Sequence, residues 1–305
     1  MGTQYHITLK VDNIDAQALS KAFEQRLKQL NQNLSTYIPD SDLMRLNQNH
    51  DGGCIAVTED TFNVVKAALT IHQQSHGAFD PGLGPLIELW GFDAKQTDDQ
   101  IPAQSDIEAV LSSLTFGQTT LDSSNRCIKK GAPELFINLS AIAKGYAVDE
   151  LAKMIEQQGI NDYMVEIGGE VKVLGLSPRG TPWNIAIESP LNTHGVVQKV
   201  INPDIMGVAT SGDYRNYFEK DGRRYSHTID PTTGFPITHS LTSVTVIAPS
   251  AMAADGWSTA MMVLGEEKAM MLAKEHKLAA FFITKTNEGF NESYSPEFTQ
   301  YLKSK

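Results

Sequence analysis

Asp255 and Thr259, within Asp255-Gly256-Trp257-Ser258-Thr259-Ala260, carry the first chemical signal. At i and i+4 on a helix, their oxygens leave one face. Such a pair can share a hard cation such as Mg2+, which takes oxygen ligands and completes its shell with water and substrate phosphate. The spacing equally fits an Asp-capped helix whose Thr bonds back to its own backbone. A second signal is Ser226-His227-Thr228-Ile229-Asp230-Pro231-Thr232-Thr233-Gly234. Imidazole titrates near neutrality, so His227 suits general-base work beside a carboxylate that fixes its tautomer. Asp230 is the nearest carboxylate in sequence, but on an extended strand residues three apart point to opposite faces, which leaves the partner open. Asp-Pro-x-x-Gly is also ordinary hairpin chemistry.

A third segment, from Asn138 through Lys144 to Asp149, runs from apolar residues through small ones into a helical pattern. Free N–H groups and the positive dipole end of a helix hold phosphate oxygens, and Lys144 would add a point charge. The spacing is not that of a P-loop, and a Ser-capped helix with a solvated lysine fits as well. Gly168-Gly169 and Thr210-Ser211-Gly212 are places where backbone could approach a ligand, or simply tight turns. No nucleophile elbow, Cys/His metal spacing or dinucleotide fingerprint is present.

Apolar spacing supplies the elements that must hold these groups. A strand is expected over 7–11 and a helix over 19–34, then a loop at 35–42 and a helix capped by Thr58. Residues 77–86, rich in Gly and Pro, read as an ordered irregular loop. A helix over 106–114, a strand over 134–139 and a helix over 142–158 ending at Gly159 follow. Strands at 163–167, 171–174, 183–187 and 196–201 form an antiparallel run. A strand at 241–247, helices at 251–264 and 267–276 and a strand at 279–284 close the chain in βα style.

With 25 Lys+Arg against 36 Asp+Glu, the net charge of −11 argues against nucleic-acid binding. The 41% hydrophobic content is too high for a disordered chain. No apolar run approaches the ~20 residues of a bilayer span, and the first residues lack the pattern of an export signal. Cys54 and Cys127 are too few for a metal site and read as core or surface thiols, with nothing in the sequence to indicate a bond between them. The 305 residues read as one unit, 1–305, of two intimately packed lobes.

Six blocks in order resemble the FAD:protein FMN transferase (ApbE) family over nearly the whole chain. They are Gly77-Ala78-Phe79-Asp80 with Gly84-Pro85-Leu86; Leu139-Ser140-Ala141-Ile142-Ala143-Lys144-Gly145-Tyr146-Ala147; Gly168-Gly169; Thr210-Ser211-Gly212-x-Tyr214-Arg215; His227 to Gly234; and Ala254 to Ala260. The resemblance implies an α+β fold of mixed and antiparallel sheets flanked by helices, with FAD between two lobes. It implies a Mg2+-dependent enzyme that cleaves FAD, attaches FMN to a threonine of an acceptor flavoprotein and releases AMP. Acceptors of such families are subunits of respiratory redox complexes, with the threonine in a motif like Asp-x-x-Ser/Thr-Gly-Ala-Thr/Ser. By similarity Asp255, Thr259 and the Ala141 carbonyl hold the metal, with Ser258 beside it. FAD lies against Met1, Tyr37, Ala78, Phe79, Asp80, Asn138, Lys144, Gly168, Gly169, Ser211, Gly212 and Ile229. His227, with Asp230 close in sequence, falls where the family's essential histidine lies. Many relatives carry Asp where this chain has Asn138. The resemblance also implies export, with a leader removed, and lipid anchoring in the bacterial periplasm. Two rivals are a Mg2+-dependent FAD pyrophosphatase and a flavin-binding protein without chemistry.

Overall fold

The computed structural model describes residues 2–92, 101–190, 196–213, 217–220 and 223–302. Strand β1 (Tyr5–Leu9) leads into helix α1 (Ala16–Leu34), where Asp15 caps the start by accepting from the Ala18 N–H. Helix α2 (Asp42–Asn47), strand β2 (Ile55–Ala56) and helix α3 (Glu59–Gln74) follow, the last capped by Thr58 as expected. The Gly/Pro-rich segment is a 3-10 turn at Pro81–Leu83 running into α4 (Gly84–Leu89), with Asp80 capping the turn. Helix α5 (Gln104–Leu111), strands β3 (Thr120–Asp122) and β4 (Cys127–Lys129), and helix α6 (Ala143–Gln157) complete the first half. Just beyond α6 stands Gly159 at φ +77°, the left-handed residue that the sequence assigns to this helix end.

The second half supplies β5 (Tyr163–Ile167), β6 (Glu170–Leu174), β7 (Ile185–Glu188), β8 (Val197–Ile201), β9 (Gly207–Gly212), β10 (Tyr217–Lys220), β11 (Arg223–Ser226) and β12 (Leu241–Ala248). Helices α7 (Ala251–Leu264) and α8 (Glu266–Glu275) and strands β13 (Ala279–Thr286) and β14 (Gly289–Tyr294) end it. Seven strands form the main sheet in the order β1-β5-β6-β9-β12-β13-β14, with antiparallel neighbours throughout. Helices α6 and α7 cover one face, with α1 and α3 packed outside them. The other face is closed by a cluster that includes Val171, Val173, Trp183, Ile201, Phe281 and Phe298. With both faces covered, all eight residues of β12 are buried. Among the described residues no helix is long and apolar enough to cross a membrane. The fold is α+β.

Two expectations are corrected. Residues 134–139 are not a strand of any sheet, although Leu135, Ile137 and Leu139 are buried as the alternation required. The Asn47 side chain takes the place of a partner strand: its amide donates to the Ile137 carbonyl at 2.9 Å and its oxygen accepts from the Ile137 N–H at 2.8 Å. The strand–helix–helix–strand ending stands as expected, with two helices connecting β12 to β13 and returning the chain antiparallel beside it. The two cysteines are not free thiols. Pairing of β2 with β4 brings Cys54 and Cys127, 73 residues apart in sequence, to a Cα separation of 5.6 Å, and they are disulfide-bonded. A two-residue strand is too short to show a period in sequence, which hid that pairing.

Candidate active site

The site begins where α6 crosses α7. Asp149 of α6 accepts from the Ala251 and Met252 N–H groups, both at 2.9 Å, placing a negative charge at the N-terminus of α7. The helices approach so closely that a Cβ on Gly145 would lie 2.2 Å from the Ala251 carbonyl oxygen, so only glycine fits there. The Gly145 N–H, which a regular helix would aim at the Ala141 carbonyl, donates instead to Asp255 Oδ2 at 3.0 Å. Asp255 is therefore no helix cap. Ser250 caps α7, and Asp255 sits in its second turn, 3% exposed. The Ser258 hydroxyl donates to the Asp255 carbonyl at 2.9 Å. Ser211 at the end of β9 brings its Oγ to 2.9 Å from Ser258 Oγ and 3.2 Å from Thr259 Oγ1.

A second wall comes from the hairpin between β5 and β6. Gly168 and Gly169 stand at φ +62° and +105°, which a two-residue turn between paired strands demands. That turn makes Glu170 the first residue of β6, its side chain 5% exposed. Lys144 Nζ lies 3.1 Å from Glu170 Oε1 and 3.8 Å from Asp255 Oδ1. Glu170 Oε2 is buried without a hydrogen-bond partner. Burial pushes the Glu170 carboxyl up to about 8, the nearby Asp255 charge adds to this, and Lys144 opposes it. Burial raises Asp255 as well, against Lys144 and the Gly145 N–H. Burial works against the Lys144 charge, but Asp255 and Glu170 outweigh it and hold its pKa above the usual lysine value.

These groups line a cavity of about 340 Å³ that brings together most of the residues singled out in sequence. Ala78, Phe79, Asp80, Asn138, Ala141, Lys144, Gly168, Ser211, Gly212, His227, Ile229, Asp255 and Thr259 all face it. His72 donates from Nδ1 to the Phe79 carbonyl at 2.9 Å and stands 3.7 Å from Asp80 Oδ2, fixing that loop. Asn138 Oδ1 accepts from the Ser140 N–H at 2.9 Å, which turns the chain into α6. The segment after His227 is clamped by Trp90, whose Nε1 donates to the Gly234 carbonyl at 2.8 Å while its ring stacks on Tyr225. His227 also lines an adjoining cavity of about 370 Å³. Tyr37, 73% exposed, lines that cavity and a third of about 780 Å³. Asn138 and Ser140 border all three.

Three residues stand elsewhere. Ser258 is fully buried behind the cavity wall, and Gly169 is not part of the lining. Asp230 accepts from the Thr232 N–H at 2.8 Å and faces a separate groove. Met1 lies outside the described residues, as do Tyr214 and Arg215 of the fourth block. Glu170 was missed, along with Ser140, Thr210, Thr228, Met262 and Val263. A signal for Glu170 existed. In β6, Glu170 and Lys172 alternate with Val171 and Val173, so two charges share the face turned to α6, where Lys172 lies 3.5 Å from Asp149.

The model of the ApbE family matches residues 1–282. The chain belongs to the ApbE family. Among ApbE relatives, the FAD:protein FMN transferase of Vibrio cholerae is 42% identical over 304 residues, covering 99% of this chain and 90% of the relative. The enzyme of that name from Escherichia coli K12 is 41% identical, covering 100% and 88%. The solved flavin transferase ApbE of Vibrio cholerae superposes with a TM-score of 0.91 at 41% identity, covering 99% of this chain and 96% of that one. The apo flavinyl transferase ApbE of Pseudomonas stutzeri gives 0.90 at 40%, covering 100% and 95%.

The donor set suits a hard cation rather than a soft one. One carboxylate (Asp255), one hydroxyl (Thr259) and one carbonyl outside the helical ladder (Ala141) meet at one wall, all oxygen. Among the described residues no three His, Cys, Asp or Glu side chains form a metal cage. A cation here would complete its shell with water or substrate oxygens.

Proposed function

We propose that this protein cleaves FAD, transfers its FMN half to a threonine hydroxyl of an acceptor flavoprotein and releases AMP, with Mg2+ held by Asp255, Thr259 and the Ala141 carbonyl. Membership of the ApbE family makes the chain a transferase of flavin nucleotides. The convergence of Asp255, Thr259, Lys144 and His227 on one cavity carries the reading. Three adjoining cavities around Asn138 and Ser140 support a long substrate with two heads joined by a pyrophosphate.

In the reaction the threonine oxygen forms a bond to the phosphorus of the FMN half, and the bond from that phosphorus to the bridging oxygen breaks. That oxygen leaves as part of AMP. Mg2+, when bound, supplies positive charge to the phosphate oxygens. Lys144 adds a second positive charge on the same wall, kept protonated by its two carboxylates. His227 takes the hydroxyl proton. The Ala78-Phe79-Asp80 loop and Ile229 frame the cavity, orienting the substrate and limiting water. We further propose an acceptor threonine in a motif like Asp-x-x-Ser/Thr-Gly-Ala-Thr/Ser, on a subunit of a respiratory redox complex.

The Cys54–Cys127 bond supports work in an oxidising compartment, in keeping with a lipid-anchored enzyme of the bacterial periplasm. Thiol labelling of protein recovered from periplasm without reductant tests this: no labelled cysteine is expected, and two would contradict it.

Intact-mass analysis of an acceptor domain incubated with the protein, FAD and Mg2+ tests the activity. A gain of one FMN, matched by AMP and abolished by EDTA, is expected. AMP with free FMN and an unmodified acceptor would make the enzyme a pyrophosphatase instead.

A further inference from the structure

Lys144 is flanked by two buried carboxylates, and only one of them belongs to the metal wall. Its Nζ is closer to Glu170 Oε1, at 3.1 Å, than to Asp255 Oδ1, at 3.8 Å. An ammonium seated on Asp255 would compete with a divalent cation for the same carboxylate, and the two positive charges would repel within a low-dielectric wall. Glu170 has the means to prevent this. It is anchored at a glycine turn, its side chain is 5% exposed, and Oε2 is left without a hydrogen bond, so that among the described residues Lys144 is the side chain that pairs with it. A buried carboxylate so poorly supplied is costly unless it acts on something.

We infer that Glu170 is a positioning residue that draws Lys144 off Asp255, leaving Asp255 to take a divalent cation while the ammonium stays in the cavity to meet a phosphate oxygen. This deepens the transferase reading and rests on its metal assignment. Without Glu170, Lys144 pairs with Asp255 alone, no charge is stranded, and the cation loses its ligand.

Mn2+ binding in the absence of FAD, followed by the free-ion electron paramagnetic resonance signal, tests the inference without relying on turnover. Glu170→Gln, with Glu170→Ala as a second variant, is expected to weaken Mn2+ binding about tenfold or more. Glu170→Asp, which keeps the charge, is expected to retain most of it. Adding Lys144→Met to Glu170→Gln removes the competitor and is expected to restore binding to within about threefold of the unsubstituted protein. Unchanged Mn2+ affinity in Glu170→Gln would overturn the inference and leave the metal assignment standing. A loss that Lys144→Met does not reverse would also overturn it, making Glu170 a ligand or a structural support. An unsubstituted protein that binds no Mn2+ would overturn the metal assignment and the inference with it.

Discussion

The Tyr146 hydroxyl of α6 donates to Asp60 at 2.7 Å; one residue earlier, the Gly145 N–H donates to Asp255 at 3.0 Å. Asp60 is fully supplied. Arg26 grips both its oxygens, at 2.6 and 2.8 Å, and the Asn33 amide adds a fourth bond at 2.8 Å. Burial alone would raise its pKa, but Arg26, Tyr146 and Asn33 win and hold it below the usual aspartate value. Asp255 and Glu170 share one ammonium, Glu170 keeps an oxygen without a partner, and both carboxyls have raised pKa values. The first arrangement holds α1, α3 and α6 together. The second leaves carboxylate charge only partly compensated, and it is there that the proposed cation would sit.

The largest expected effect separates these two roles. Asp255→Asn should lower turnover about a thousandfold or more, some 4 kcal/mol of barrier, while thermal unfolding in EDTA shows stability unchanged or higher, since a buried charge has been removed. A variant both inactive and strongly destabilised would erase the distinction. His227→Ala should lower transfer by about 100- to 10,000-fold with FAD affinity, measured by flavin fluorescence, within about threefold. Gly145→Ala forces a Cβ against the Ala251 carbonyl and should cost about 3 kcal/mol, read by chemical denaturation, with weakened metal binding because the crossing opens. Asp60→Asn should cost about 2 kcal/mol, less than for a fully buried pair since Arg26 keeps Glu150, and leave turnover intact.

The two regions also pull pH dependence in opposite directions. Asp60 has a depressed folded pKa, so its contribution is complete above the ordinary aspartate value and disappears as pH falls through the folded one. Glu170 has a raised pKa, so its contribution is present below the ordinary value and is lost as pH rises through about 8. In EDTA, Asp60→Asn should flatten the acid limb of a stability-versus-pH curve, and Glu170→Gln the decline on the approach to pH 8.

Much of this site was legible because its chemistry is local in sequence. The i, i+4 pair of Asp255 and Thr259, the entry to α6 and the Gly-Gly turn each carry their own spacing signal, and the resemblance joined them. Glu170 was overlooked because the glycines beside it explain a turn completely, and its relation to Lys144 exists only once β6 lies under α6. Asp230 was given weight by its nearness to His227, yet it bonds its own turn. The Asn47 clamp on residues 134–139 and the Cys54–Cys127 bond depend on contacts across 90 and 73 residues, which no local period encodes.

AMP release from FAD by Asp255→Asn and Asp60→Asn proteins, assayed side by side at equal folded concentration with Mg2+ and acceptor, tests the role of Asp255 most directly. Asp60→Asn is expected to release AMP within about threefold of the unsubstituted protein, and Asp255→Asn none above an EDTA control. AMP release by Asp255→Asn at a rate like that of Asp60→Asn would contradict the assignment of the site.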